Sequence, residues 1–169
     1  IKNRLLCIGI AAPGIVDVEN GLILYYAHFS QGKNIPVRDI FAKHFSCDIH
    51  IEKSINAIAY NLLKKRSGNN TDNLILISIR SGVGMSCILN GLLYRGFSGT
   101  AGEIGHIRVH PSTALCQCGK TGCLDAEASI YAVASKMNSL LKNNPAYQSI
   151  IDSSPSQKMQ LFVKMVEEQ

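Results

Sequence analysis

Three features that point quickly to a function are missing from this 169-residue sequence. No stretch approaches the roughly 20 apolar residues that a membrane-spanning helix needs, so we expect no membrane partner. No long run of lysine and arginine is present, so the formal net charge of +5 does not indicate a nucleic-acid-binding face. Internal repeats and low-complexity tracts are also missing, which argues against a repeat protein or a disordered chain.

The composition is that of a chain that folds around a core. Hydrophobic residues make up 46% of the sequence, enough for one domain or two small lobes. Cys7, Cys47 and Cys87 stand singly in apolar or strand-like surroundings, which predicts buried free thiols and a reducing compartment, the cytoplasm. Because the first residue is Ile1, we expect the chain to be a piece of a longer protein.

The most informative stretch covers residues 102–125 and reads GEIGHIRVHPSTALCQCGKTGCLD. It contains one histidine and three cysteines at close spacing, His106, Cys116, Cys118 and Cys123. Three cysteines with one histidine form one of the standard closed zinc sites, and four protein ligands leave no position for a catalytic water. The stretch therefore predicts a structural zinc ion. The alternative is a chance cluster of cysteines, and the spacing is not that of the common zinc finger.

The same stretch resembles the signature of the ROK family, which comprises repressors, open reading frames and sugar kinases. The pattern is G-E-I-G-H followed by C-x-C-G-x-x-G-C-L-[E/D]. Other segments match in family order: GIAAPG at 9–14, IEKSINA at 51–57, SGVG at 81–84 and N-G-x-L-x-x-G at 90–96. Together they cover about residues 8 to 135. The resemblance is to the sugar-binding part of N-acetylglucosamine-repressor-like regulators.

This resemblance implies an α/β fold of two lobes, the actin-like, hexokinase-like (ribonuclease H-like) ATPase fold, with mixed sheets and a sugar cleft. Residues 1–66 are then part of the first lobe, and 74–169 are part of the second lobe with the zinc loop. The polar stretch at 67–73, SGNNTDN, is the predicted linker. The family's opening D-x-G-G-T phosphate loop does not occur in this sequence, so we expect the chain to be a fragment of that fold.

The resemblance also assigns sugar-binding residues. It places Glu103 and His106 against the sugar, and gives His106 a second role as zinc ligand. Asp125 stands where the family usually has glutamate, and its shorter side chain predicts a looser or altered sugar preference. Apart from the resemblance, the residues favour a solvated loop carboxylate for Glu103 and a carboxylate at the start of a helix for Asp125.

Residues 52–56 depart from the family pattern. ROK kinases typically have E-N-D-x-N, in which the aspartate accepts the proton of the attacking sugar hydroxyl, whereas this chain reads EKSIN. A general base must accept a proton at neutral pH, which neither a serine hydroxyl nor an ordinary lysine ammonium does. No catalytic residue is therefore assigned, since Ser54 occupies the catalytic position. Lys53 and Ser54 stay candidates for sugar binding, although Ser54 also suits a helix N-cap.

The turn RSGVG at 80–84 is a second departure. ROK kinases tend to have a T-G-T-G-like turn there that approaches nucleotide phosphates, which makes Ser81, Gly82 and Gly84 weak candidates for nucleotide binding. Arg80 brings a large side chain to this turn, although arginine can bind phosphate through its charge. A short Gly-x-Gly between strands is also often only a turn. We expect ATP with Mg²⁺ only if the protein is a kinase.

Local patterns predict the elements around these sites. Asn20-Gly21 and Asn90-Gly91 each predict a hairpin. The apolar run at 74–79 predicts a strand that is buried on both faces. A helix is predicted after Ser54, with an apolar face of Ile55, Ile58, Ala59, Leu62 and Leu63. One long helix is predicted from Leu124 to near residues 142–145, and a last helix is predicted from the capping box at 154–157.

The leading hypothesis is a ligand-binding domain of a ROK-type transcriptional regulator that senses a sugar or sugar phosphate. DNA would be bound only through an upstream winged helix-turn-helix outside this chain, and the ligand would shift the domain or dimer geometry. The alternative is an ATP-dependent sugar kinase acting on glucose or an N-acetylhexosamine such as N-acetylmannosamine. A third possibility is a degenerate member with a structural role. The resemblance implies a homodimer or homotetramer.

Overall fold

The structure, a computed structural model, describes residues 5–26, 33–65, 73–109, 111–141 and 153–167. The chain divides into two compact units: unit 1 contains Ile1–Ile77 and Met85–Gly102, and unit 2 contains Ser78–Gly84 and Glu103–Gln169. Apart from its last residue, the predicted linker at 67–73 lies outside the described residues, so the predicted lobe boundaries stay predictions. Among the described residues, no helix combines the length and apolar character that crossing a membrane requires.

Strands and helices are both present, as the α/β prediction requires. The strands are β1 (Cys7–Ala12), β2 (Ile15–Asp17), β3 (Leu22–Tyr25), β4 (Lys33–Ile35), β5 (Asp48–Lys53), β6 (Leu74–Ile79), β7 (Val83–Leu89) and β8 (Leu92–Tyr94). The helices are α1 (Val37–Ala42), α2 (Ser54–Lys65), α3 (Leu124–Ala128), α4 (Ile130–Leu141) and α5 (Pro155–Glu167), with a 3₁₀ helix at Ile104–His106.

The sheet pairing is partly parallel and partly antiparallel, so the predicted mixture of strand directions is confirmed. β1 and β5 pair in parallel, β2-β3-β4 are antiparallel, and β6, β7 and β8 form a third sheet in that order. Unit 1 has a hydrophobic core cluster of four buried residues, Ala12, Val16, Val37 and Ile51. These residues come from β1, β2, α1 and β5, so the parallel pair is fixed against both the hairpin and α1.

Both predicted hairpins are confirmed, and each turns at its Asn-Gly pair. Gly21 has φ +71°, and the Asp17 carboxylate accepts hydrogen bonds from the Asn20 backbone and side chain at 3.0 and 2.7 Å. At the second turn Asn90 and Gly91 have φ of 52° and 76°. Two consecutive left-handed residues are what a type I′ turn needs to join β7 and β8.

The prediction that β6 is buried on both faces is wrong. Its residues alternate, and Ile75 and Ile77 are 65% and 56% exposed. The apolar face predicted for α2 is also only partly buried, since Ile55 and Ala59 are covered while Ile58 and Leu62 are exposed. In both cases the side chains are apolar, but the described residues cover only one side of the element.

The single long helix predicted to begin at Leu124 is two helices, and its predicted end near 142–145 lies outside the described residues. The chain leaves helical geometry at Ser129, which has ψ 156°, and α4 begins at the next residue. The Ser129 hydroxyl accepts a hydrogen bond from the Ala132 backbone N–H at 3.2 Å, so this serine caps α4. The capping box of α5 is confirmed, because Gln157 N–H donates to the Ser154 hydroxyl and the Gln157 side chain accepts from Ser154 N–H.

The burial predicted for three cysteines is wrong. Cys7 is exposed, and Cys47 and Cys87 are half-buried, although all three are free thiols. Cys7 points away from the core because it shares the exposed face of β1 with Gly9 and Ala11. A cytoplasmic location therefore stays a prediction without that support.

Candidate metal and ligand site

Unit 2 brings the four predicted metal ligands together. The ligand atoms of His106, Cys116, Cys118 and Cys123 all lie within 4.8 Å of one another. His106 Nδ1 is 3.7 Å from Cys116 Sγ, and Cys118 Sγ is 3.7 Å from Cys123 Sγ. Thiolates bound tetrahedrally at about 2.3 Å from zinc lie about 3.8 Å apart. The cluster therefore fits a tetrahedral metal ion with small adjustments.

Backbone hydrogen bonds hold the cysteine loop in this shape. Cys116 N–H donates to the Lys120 carbonyl at 2.8 Å, and Gly119 N–H donates back to the Cys116 carbonyl at 2.9 Å. Gly119 and Gly122 have φ of +86° and +78°, which a residue with a side chain adopts with strain. The glycines in the C-x-C-G-x-x-G-C pattern thus allow the tight reversal that turns the sulfurs toward one another.

The electrostatic state of the thiols depends on their burial. Burial raises the pKa of Cys123 to about 12 and also raises the pKa of Cys116. Burial acts in the same direction on Cys118, but hydrogen bonds, the strongest from Lys120 N–H, outweigh it and lower the pKa of that thiol. Without a metal ion, Cys116 and Cys123 are therefore protonated at neutral pH, and a metal that binds them displaces these protons.

Glu103 and His106 lie next to each other. Glu103 directly precedes the 3₁₀ helix at Ile104–His106, His106 is the last residue of that helix, and Glu103 Oε2 is 3.8 Å from His106 Nε2. The two imidazole nitrogens thus face different partners: Nδ1 is close to a cysteine sulfur, and Nε2 points toward a carboxylate. The Nε2–Oε2 distance is longer than a hydrogen bond, and a metal ion on Nδ1 would leave the ring proton on Nε2, on the side of the carboxylate.

Asp125 has a partner that the sequence does not suggest. Its Oδ1 accepts a hydrogen bond from Val83 N–H at 2.6 Å, across 42 residues of sequence. The same oxygen would lie 3.1 Å from a Cβ atom on Gly82. One carboxylate oxygen of Asp125 is thus committed to the backbone of the turn before β7.

The three weak candidates for nucleotide binding lie in and after that turn. Ser81 and Gly82 form the turn, and Gly84 lies in β7. Arg80 N–H donates to the Gly82 carbonyl at 2.8 Å, and the Arg80 carbonyl accepts from Ile130 N–H at 2.8 Å. In the same unit, Ser81, Cys116 and Asp125 line one cavity of about 370 Å³.

Lys53 and Ser54 lie in unit 1, where β5 ends and α2 begins. Lys53 is buried, with 8% of its surface exposed. Glu52 stands beside them, and its Oε1 accepts hydrogen bonds from Lys53 N–H at 2.8 Å and from Asn56 Nδ2 at 3.0 Å. Its Oε2 accepts from Nε and from a terminal nitrogen of Arg95 at 3.1 and 2.5 Å.

Sequence reasoning did not find two polar groupings. The first continues from Glu52 through Asn56 to Ser86, whose hydroxyl donates to Asn56 Oδ1 at 2.8 Å. The second joins Glu127 to Ser112 and Lys136 through hydrogen bonds. Both partners hold the pKa of Glu127 below its ordinary value, and Lys136 has the larger effect. Apart from Glu52 and Asn56, which are four residues apart, the bonded pairs are 9 to 43 residues apart, and no local spacing signals such pairs.

Comparison with known proteins gives the family. The family model described as ROK family matches residues 2–168. A glucokinase of Halalkalibacterium halodurans is 36% identical over 134 residues, covering 79% of this chain and 40% of that protein. The xylose repressor of Bacillus subtilis is 32% identical over 148 residues, which cover 88% of this chain and 38% of the repressor. The Escherichia coli regulator NagC is 32% identical over 147 residues, which cover 87% of this chain and 36% of NagC.

Solved structures of the same family share the fold. A ROK family glucokinase from Streptomyces griseus, in complex with glucose and AMPPNP, has a TM-score of 0.76 at 28% identity and covers 92% of this chain and 51% of its own. A ROK family transcriptional regulator described as a homologue of the E. coli MLC protein has a TM-score of 0.72 at 29% identity. The match covers 89% of this chain and 38% of the regulator. The chain spans about two fifths of the length of the curated relatives named above. It has the fold of ROK sugar kinases and regulators, and on the family match over residues 2–168 it belongs to the ROK family.

Proposed function

We propose that this chain is part of the sugar-sensing ligand-binding domain of a ROK-family transcriptional regulator. The ligand is a sugar or a sugar phosphate, and the kinase chemistry has been lost. The similarity to the xylose repressor and to NagC over 87–88% of the chain supports this class. DNA is contacted through an upstream module outside this sequence.

The observation that carries the proposal is the chemistry around Ser54. Phosphoryl transfer to a sugar hydroxyl needs a base within hydrogen-bond reach, and a serine hydroxyl does not take up a proton at neutral pH. The carboxylate beside it, Glu52, cannot substitute, because both of its oxygens already accept hydrogen bonds and one of them faces the Arg95 guanidinium.

The turn before β7 supports the same conclusion. A glycine turn that binds phosphate offers its backbone N–H groups to the anion. Here the Val83 N–H donates to Asp125 Oδ1 at 2.6 Å, and the Arg80 N–H donates to the Gly82 carbonyl. A carboxylate at the turn repels an anionic phosphate, so Ser81, Gly82 and Gly84 are weaker candidates for a nucleotide site than their spacing suggests.

Glu103 and His106 are the residues of unit 2 that we propose to bind the sugar. With Nδ1 on the metal, His106 Nε2 bears the proton and donates to a sugar hydroxyl, while the Glu103 carboxylate accepts from a hydroxyl. Asp125 has one oxygen committed to Val83, so its contact with a sugar is through the other oxygen. In unit 1, Lys53 and Ser54 are the proposed sugar-binding residues, as the family resemblance implies.

We propose zinc as the metal held by His106, Cys116, Cys118 and Cys123, because three thiolates with one imidazole at tetrahedral spacing suit that ion. The ion supplies cross-linking and no reaction step. It would fix the imidazole that binds the ligand and would cross-link the cysteine loop, whose shape backbone hydrogen bonds also hold.

A sugar kinase is the second candidate. The 36% identity to the glucokinase of H. halodurans and the TM-score of 0.76 to the S. griseus glucokinase favour it. A kinase would need a base other than Ser54 and a phosphate loop from the part of the family fold that this chain does not span. ATP with Mg²⁺ would then be the co-substrate.

The test uses the full-length protein and measures binding and turnover separately. Calorimetry with D-xylose, D-glucose, N-acetylglucosamine and N-acetylglucosamine 6-phosphate is expected to give saturable binding for one of the four. An assay of ATP-dependent phosphorylation on D-glucose and N-acetylmannosamine is expected to give no turnover. Turnover by the wild type would contradict the sensing role, and failure to bind any of the four sugars would favour a structural role.

A matched pair of substitutions tests the position of the missing base. Ser54→Asp restores a carboxylate where ROK kinases have one, and Ser54→Asn has the same shape without a base. If residue 54 occupies the catalytic position, only the aspartate variant gains phosphoryl transfer, provided that the remaining kinase parts are intact. Equal behaviour of the two variants would remove the support for assigning Ser54 to that position.

A further inference from the structure

A chain of hydrogen bonds in unit 1 surrounds the Lys53–Ser54 turn. It runs from Arg95 to Glu52, then to Asn56, and ends at Ser86. Asn56 and Ser86 are 6% and 2% exposed, so this is a buried network at one end. The network connects the β5–α2 turn to the middle of β7 and to the residue that follows β8.

Glu52 is the centre of this network, and its position restrains the turn directly. Oε1 accepts from Lys53 N–H and from the Asn56 amide, so it fixes the backbone on one side of Ser54 and a side chain two residues after it. Oε2 is held by the Arg95 guanidinium at 2.5 Å. Without Arg95 the carboxylate can rotate away, because a charged side chain that is 22% exposed has water as an alternative partner.

Arg95 also restrains the loop that follows β8. Its carbonyl accepts a hydrogen bond from Ala101 N–H at 3.1 Å, which closes the loop at 96–100. The next residue, Gly102, bonds through its carbonyl to Met85 N–H at 2.9 Å and directly precedes Glu103 in sequence. Within unit 1, Arg95 therefore joins the Lys53–Ser54 turn to the loop that follows β8.

We propose that Arg95 and Asn56 are positioning residues for the sugar ligand, acting through Glu52 on Lys53 and Ser54. This inference rests on the proposed sugar-binding function. Arg95 itself does not contact the ligand. Its guanidinium holds Glu52, Glu52 holds the Lys53 backbone, and the Ser54 hydroxyl is presented in one orientation. A preorganised turn binds more tightly because less ordering remains to be done when the ligand arrives.

The central experiment is a double-mutant cycle on the full-length protein, with binding of the four sugars named above measured by calorimetry. Arg95→Met retains the aliphatic stem and removes the donors, and Ser54→Ala removes the positioned hydroxyl. We expect Arg95→Met to weaken binding about fivefold, the size of one partly exposed ion pair. If Arg95 acts through Ser54, the loss is much smaller when Ser54 is already alanine.

Three variants complete the design. Arg95→Lys retains a cation that can reach Glu52 Oε2 and is expected to recover most of the affinity. Lys64→Gln removes one positive charge from α2, where Lys64 lies 5.3 Å from the Tyr60 ring centroid, and is expected to bind like the wild type. If Arg95→Met does not fold, Glu52→Gln takes its place in the same cycle, since it retains the acceptor for Lys53 N–H and removes the charge facing Arg95.

The outcomes separate this inference from the function on which it rests. Three results together would support the positioning role of Arg95. Arg95→Met binds the sugar weakly, Arg95→Lys recovers the affinity, and the losses from Arg95→Met and Ser54→Ala are not additive. If Arg95→Met leaves the sugar affinity unchanged, or if its loss simply adds to that of Ser54→Ala, the positioning role is overturned while the sugar-binding function stands. A wild type that binds none of the four sugars removes the proposed function and this inference together.

Discussion

Gly102 and Gly105 bring a loop backbone against strand β7 at two points. A Cβ atom on Gly102 would overlap the Met85 carbonyl oxygen, and one on Gly105 would overlap the Val83 carbonyl oxygen. Gly102 also has φ +84°, a conformation that residues with side chains rarely adopt. The glycines of G-E-I-G-H are therefore required by close approach, and they position the two polar residues of that segment, Glu103 and His106.

Gly105→Ala is expected to lower the free energy of unfolding by about 1–3 kcal/mol, the usual consequence of forcing a methyl group into occupied space. Thermal or urea unfolding measures it. Gly9→Ala is the matched control, because a Cβ on Gly9 meets no atom within 4 Å and Gly9 lies in a strand. Equal stabilities of the two variants would mean that the loop at 102–105 yields without loss.

For single residues, the sequence indicates which side chains form the candidate metal site, but it does not indicate hydrogen-bond partners that are distant in sequence. The Cys₃His set is recognisable because three of its four members lie within eight residues, and the structure brings all four together. The contact of Asp125 with Val83 and that of Glu52 with Arg95 join residues that are 42 and 43 apart. No periodicity or spacing encodes such pairs, since they depend on how the elements pack.

Among the elements, the break between α3 and α4 has a definite cause. Ser129 is 4% exposed, and its hydroxyl accepts from Ala132 N–H. The preceding helix ends there, and Ile130 N–H turns to the Arg80 carbonyl at 2.8 Å. The apolar positions 124, 128, 131 and 134 continue in helical phase across the break, which is why periodicity alone predicts a single helix.

Ser129→Ala is expected to destabilise the protein by about 1 kcal/mol, the usual effect of losing an N-cap. The comparison is with Ser139→Ala, where an exposed hydroxyl inside α4 donates to the Ser135 carbonyl and does not cap a helix. That control should change stability by less than about 0.5 kcal/mol. If the two variants unfold together, the cap contributes nothing and the break at residue 129 has another origin.

The exposed side of β6 shows what element-level reasoning leaves out. A near-continuous apolar run predicts burial on both faces, yet Ile75 and Ile77 are largely exposed. The strand itself is predicted correctly, and so are both Asn-Gly hairpins, because these depend on neighbouring residues. Burial on a second face depends on a further layer, and a strand's own residues contain no information about whether the described part of the chain supplies it.

For the whole molecule, the proposed zinc ion at the Cys₃His cluster is expected to stabilise unit 2. Zinc at about one equivalent per chain is expected in the purified full-length protein, measured by elemental analysis. Removing it with a chelator is expected to lower the melting temperature, because metal-binding free energy is partly folding free energy. Cys116→Ser should reduce both the zinc content and the melting temperature, whereas Cys87→Ser, which changes a half-buried cysteine outside the cluster, should leave both unchanged.

The pH dependence of zinc affinity follows from the thiols that must ionise. Burial raises the pKa of Cys123 to about 12 and raises that of Cys116 as well, so both are thiols at pH 7 in the metal-free protein. Zinc binds thiolates, and each ion bound therefore releases at least these two protons. Two released protons make the affinity fall about 100-fold for each unit by which the pH is lowered. Competition against a chromophoric chelator at pH 6.5 and 7.5 measures this slope. An affinity that does not change between the two pH values would mean that the cysteines are not the ligands, because carboxylate ligands are already ionised in this range.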